Sequence, residues 1–186
     1  MMYEDIKKDA DFLFGKFASG ENIVPSAFDA IKLSAIFPLS CLSLYALSLA
    51  YIIFSFVPPD DVWVNPMIHY LGLTLAFGGF TLLLSIAIMA MMYTPFMLLT
   101  SLPIQVRMQS ILVQKLSRTF KNTCKIMIVV NGLFAVSSAL LPQLFYAAPF
   151  VFLISYLIMQ TIISSELTRY GIAGAMSKFA RLVKKI

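Results

Sequence analysis

Few residues in this chain are able to do chemistry, and most of them stand inside long apolar stretches. His69 is the only histidine; beside Tyr70 and about one turn into an apolar run, it suits the polar interface of a bilayer better than a ligand site. The two cysteines, Cys41 and Cys124, lie far from His69 in sequence and form no CxxC pair, so zinc-ligand spacing and a disulfide framework are both missing. Serine recurs through the apolar runs, at Ser34, Ser48, Ser85, Ser138 and Ser155 among others, without a GxSxG elbow, an HExxH pair or a phosphate-cradling glycine loop. Asn131 and Gln160 are the strongly polar side chains well within the runs, and interhelical hydrogen bonding is the role expected of both, ahead of substrate contact. A membrane enzyme or ion carrier needs ionisable groups inside its spans, because each is costly there and persists only in use. The expectation is therefore neither catalysis nor transport, with no cofactor and no metal.

The elements that hold these residues are set by hydropathy. The chain is 60% hydrophobic and 12% charged, with a mean hydropathy of +0.86, whereas an average soluble domain is about 25% charged. From Val62 to Val106 there is no Asp, Glu, Lys or Arg, and two further uncharged runs extend over Leu33–Pro59 and Ile126–Ser165 except for the acids that bound them. A helix rises about 1.5 Å per residue, so about 20 apolar residues cross the roughly 30 Å hydrocarbon core. Four crossings result, at about Leu33–Val57, Pro66–Tyr93, Lys125–Leu141 and Phe145–Ser165. Pro58-Pro59 stops the first, Pro95 kinks or ends the second, and Pro142-Gln143 turns the third into the fourth.

Charge placement orients them. Of the 14 Lys and Arg, four precede the first span, five lie between the second and third, and five follow the fourth. Placing all of them in the cytoplasm requires four spans with both termini inside. Reading Val62–Val106 as two crossings would put Arg107, Lys115, Arg118, Lys121 and Lys125 outside. The same logic explains the net charge of +5 as an orientation signal, so no direct nucleic-acid contact is expected.

The fold class expected is thus all-α, a polytopic membrane protein with four transmembrane helices plus amphipathic cytoplasmic helices. Its parts are an N-terminal amphipathic region at 1–32, a membrane domain at 33–165 with a basic cytoplasmic loop at 104–125, and a basic amphipathic tail at 166–186. Apolar residues recur at helical steps over 3–18, 104–121 and 172–186, the pattern of helices lying on lipid or on a partner protein. The acidic, charged N-terminus has no signal-peptide core, so its retention is expected. Gly72, Gly78 and Gly79 are expected where helices approach closely.

With chemistry set aside, surface remains. The outer loop offers Asp60, Asp61, Trp63 and Asn65 as candidate binding residues, with Gln143 in the second outer turn. Trp63 suits either an anchor in a partner's pocket or an interfacial anchor in the membrane. The expected partners are the lipid bilayer and another membrane or translocated protein, and a homo-oligomer is compatible with the same layout.

The acidic then amphipathic N-terminus, the four apolar runs, and the ending Ile162-Ile163-Ser164-Ser165-Glu166-Leu167-Thr168-Arg169-Tyr170-Gly171 before a basic amphipathic tail resemble the inner-membrane entry-exclusion proteins of F-like conjugative plasmids, the TraS type. The resemblance implies a recipient-cell protein that blocks redundant DNA transfer by recognising the donor's mating-pair protein, of the TraG type. It carries over no site residues. Immunity proteins against pore-forming bacteriocins share the layout, and a structural subunit of a membrane complex is the reading from a different class.

Overall fold

The computed structural model describes residues 27–57, 66–101 and 104–169, together with Asp9 and Phe12. Among them the chain is helical, without a strand: α1 (Ala27–Phe54), α2 (Pro66–Ser101), α3 (Ile104–Gln109), α4 (Ile111–Leu140), a 3-10 turn (Pro142–Ala147) and α5 (Ala148–Arg169). Four stretches are long and apolar enough to cross a membrane: Ala27–Phe54, Leu71–Met97, Val113–Leu140 and Pro142–Glu166. The all-α, four-span architecture follows from length and composition.

α1 packs against α2 and α4, and α5 packs against the same two helices from the opposite corner. Each span reverses direction, so α1 and α4 are neighbours that run the same way, as are α2 and α5. Aromatic rings fill the diagonal between α1 and the chain's last span: Phe37 faces Phe152 of α5 at 5.8 Å between centroids, and Tyr45 meets Phe145 of the 3-10 turn edge-on at 6.4 Å. The outside of the bundle is apolar, unlike that of a soluble one, and the apolar core holds polar side chains as well. Leu47, Phe54, Leu133 and Leu140 are among the most exposed side chains, while Ser34, Asn131 and Ser138 are fully buried. Surface leucine and phenylalanine need no water when lipid surrounds them, and a buried polar side chain finds its hydrogen-bond partner on a neighbouring helix or on a carbonyl of its own.

Neither internal proline ends its helix. α1 continues past the buried Pro38, and α2 runs beyond Pro95 to Ser101, eight residues past the Tyr93 limit expected for the second span. Thr100 Oγ1 lies 2.9 Å from Phe96 O and 3.0 Å from Met97 O, and its hydroxyl satisfies carbonyls that a helix end would leave open.

The basic segment at 104–125 departs from the single amphipathic surface helix expected over 104–121. It is two helices broken at Ser110, and the residues from Ile111 onward are the first turns of the third spanning helix. The break is a helix cap. Ser110 has extended backbone (φ −72°, ψ 115°), and its Oγ accepts from Val113 N at 3.2 Å. The same hydroxyl donates to Asp9 Oδ2 at 2.9 Å, which brings a carboxylate to the positive end of α4.

The glycines separate. A Cβ on Gly78 would come within 2.9 Å of Leu49 Cδ2, so α1 and α2 close on each other there. Gly72 and Gly79 have open space where a Cβ would stand, and the close approach expected of them is absent because they face away from the neighbouring helices. The candidate amphipathic stretches at 3–18, apart from Asp9 and Phe12, and at 172–186 lie outside the described residues.

Candidate functional site

The densest polar arrangement in the bundle is centred on Asn131, in the middle of α4. Its amide is fully buried, and Tyr45 on α1 and Ser155 on α5 converge on it with their hydroxyls equally withdrawn from the surface. Met127 O lies 2.8 Å from Asn131 Nδ2. A carbonyl only accepts, so the amide nitrogen must face it, and that fixes the amide's orientation. The second N–H then donates to Ser155 Oγ at 2.8 Å, leaving Oδ1 to accept the Tyr45 hydroxyl at 2.7 Å. Ser155 Oγ in turn donates to Val151 O at 2.8 Å.

The result is a one-way chain of hydrogen bonds, Tyr45 to Asn131 to Ser155 to a backbone carbonyl, that joins three of the four spans. Both amide N–H groups, the Tyr45 proton and the Ser155 proton each have an acceptor. The chain ends on a carbonyl, which accepts and has no proton to pass on. Its chemistry is that of a clamp. The expectation of interhelical hydrogen bonding at Asn131 matches this geometry; the partners Tyr45 and Ser155 were not legible in advance, since neither stands out among the tyrosines and serines of the apolar runs.

Other buried hydroxyls close on their own helices. Ser34 Oγ donates to Ile31 O at 2.9 Å, Thr81 Oγ1 to Phe77 O at 2.8 Å and Ser138 Oγ to Phe134 O at 2.8 Å. Ser48 Oγ, one turn beyond Tyr45, is buried without a partner among the described residues. Cys41 and Cys124 are buried, free thiols in the same apolar cluster. Among the described residues no group of three or more His, Cys, Asp or Glu side chains comes together to hold a metal ion.

Gln160 does not match its expectation. It faces outward from α5, exposed, and makes no interhelical hydrogen bond among the described residues. The rotation of α5 that buries Phe152, Tyr156 and Met159 turns Gln160 away from the bundle.

Of the candidate recognition residues, Asp60, Asp61, Trp63 and Asn65 lie outside the described residues, and His69 is described only as backbone in the first turn of α2. Gln143 is exposed in the 3-10 turn. That turn packs on α2, with Tyr146 against Phe77 at 5.5 Å. The bundle end where α1 finishes and α2 begins is therefore the end that also carries Gln143. Comparison with protein-family models, with curated proteins and with solved structures finds no match for this chain.

Proposed function

We propose that the chain is an inner-membrane entry-exclusion protein, which blocks redundant conjugative DNA transfer by recognising a donor mating-pair protein. The observation that carries this reading is the division of polar groups. Inside the bundle, apart from Ser48, the polar groups described above bond to one another or to their own helices, as Tyr45, Asn131 and Ser155 do, so the interior serves to hold shape. What is left to meet a partner is surface. The end of α1, the start of α2 and the 3-10 turn with Gln143 lie at one end of the bundle, the end that the cation distribution assigns to the outside, and in sequence Asp60, Asp61, Trp63 and Asn65 fall between α1 and α2. A bundle whose polar interior is bonded internally suits recognition through its surface.

The test is the frequency of plasmid entry into recipient cells that express the chain. Wild type is expected to lower entry of a like plasmid, and a Trp63→Ala, Asp60→Asn, Asp61→Asn variant at matched membrane level to lose that effect. Normal entry into recipients carrying wild type, together with survival of those cells under a pore-forming bacteriocin, would replace exclusion with immunity.

A further inference from the structure

We propose that the cytoplasmic start of α4 is a docking surface whose occupant is the chain's own acidic N-terminal segment, residues 4–11. One contact of that pairing is in place: Asp9 Oδ2 accepts from Ser110 Oγ at 2.9 Å, and Ser110 is fully buried. The bond sets a carboxylate at the positive end of a 30-residue helix whose first turn has no acid of its own. Following the cap, Gln114, Arg118, Lys121 and Lys125 recur at steps of four and three along one exposed face of α4, with the exposed Lys115 beside them. From Ile104 to Lys125 the sequence holds Arg107, Lys115, Arg118, Lys121 and Lys125 and no Asp or Glu. Residues 4–11 carry Glu4, Asp5, Asp9 and Asp11 against Lys7 and Lys8. The two stretches are complementary in charge.

Depth separates this occupant from lipid. Asn131 stands nine residues before Leu140, about 14 Å from the outer end of α4. A hydrocarbon core of about 30 Å centred near Asn131 ends close to Lys121, about 15 Å away on the other side, and headgroups add about 5 to 7 Å. Lys121 and Lys125 are within their reach. Lys115 and Ser110, about 24 and 31 Å from Asn131, stand clear of them, so what meets the top of the stripe is water or protein, and Asp9 is already there.

The tether suits occupation by the same chain. α1 and α4 are neighbours that run the same way, and the Tyr45–Asn131 bond sets their register. Ala27 precedes Tyr45 by 18 residues, as Val113 precedes Asn131, so α1 starts level with the first turn of α4. The 17 residues between Asp9 and Ala27 then have only a sideways distance to cover. A short tether raises the local concentration of its end to the order of millimolar, which a separate acidic protein would have to exceed. Docked, the segment covers cations that would otherwise face the cytoplasm, and through Ser110 it braces the break between α3 and α4.

The experiment uses the full chain in lipid nanodiscs and involves neither donor cells nor toxin. Spin labels on Phe12→Cys and Gln114→Cys, both exposed positions, report the distance across the contact, while the buried Cys41 and Cys124 stay in place and single-label chains supply the background. The otherwise wild-type chain is expected to give one short, narrow distance distribution. Asp9→Lys should remove most of that population, and Lys115→Gln with Arg118→Gln should lower it about threefold, as should 1 M salt by screening the charges. Ser110→Ala, which deletes the hydrogen bond and keeps the charges, should lower it less. A broad distribution in the otherwise wild-type chain would overturn the proposal, and so would a short distance indifferent to Asp9→Lys. Loss of the short distance on dilution with unlabelled chain would give the segment to a second copy, and its loss in anionic but not neutral discs would give the surface to lipid; either result also overturns it.

Discussion

The Tyr45 hydroxyl on α1 donates to Asn131 Oδ1 on α4 at 2.7 Å, across 86 residues of sequence. This bond and its continuation to Ser155 tie the first, third and fourth spans at one level of the bundle. Apolar helix faces slide past one another with little change in contact energy when lipid is the alternative neighbour, so a directional bond is what specifies the register.

The bridge is expected to behave as a coupled pair. Tyr45→Phe leaves Asn131 Oδ1 unpaired and should cost about 1 kcal/mol, and Asn131→Leu should cost more because it also strips the partner from Ser155. In a double-mutant cycle measured by unfolding in mixed micelles, the coupling between the two should be about 0.6 to 1.7 kcal/mol. Strict additivity would show that the bond contributes nothing.

Gly78 and Gly79 are adjacent in sequence and should diverge on substitution. Gly78→Ala pushes against the flexible end of Leu49 and should be mildly destabilising, whereas Gly78→Val should lower the thermal midpoint clearly. Gly79→Val enters open space facing lipid and should leave the midpoint nearly unchanged. Pairing Gly78→Ala with Leu49→Ala should remove the clash, though not the loss of Leu49 packing. Equal effects at the two glycines would place the α1–α2 contact elsewhere.

The cap at the start of α4 gives a local prediction. Ser110→Ala removes the acceptor for Val113 N and the donor to Asp9, and should destabilise the first turn by about 1 kcal/mol. The readout is amide hydrogen exchange. Val113 should exchange about fivefold faster, with the middle of α4 unaffected; protection equal to wild type at Val113 would mean that the turn is held by other contacts.

Orientation is tested by reporter fusion. Alkaline phosphatase joined after Gln143, in the 3-10 turn, should be active, and joined after Gln114, in the first turn of α4, should be inactive. The opposite result at either position would reverse the sidedness argued from the cations.

By itself the sequence determined the number of spans, the approximate limits of the first, second and fourth, the turn at Pro142 and the importance of Asn131; the third, expected from Lys125, is a helix that already begins at Ile111. These depend on local quantities: the length of an apolar run against the bilayer, the missing N–H of proline, and the expense of an amide in hydrocarbon. The tertiary structure decided everything that depends on rotation about a helix axis. A helix that is apolar all round has no wet and dry side to mark its orientation. Hence Asn131 faces inward and Gln160 outward, Gly78 touches α1 and Gly79 touches nothing, although each pair looks alike in sequence. Ser110 shows the same limit at a helix end. A single stripe from 104 to 121 concealed a cap, because the residue that completes it, Asp9, is 101 positions away and meets Ser110 only once the chain is folded.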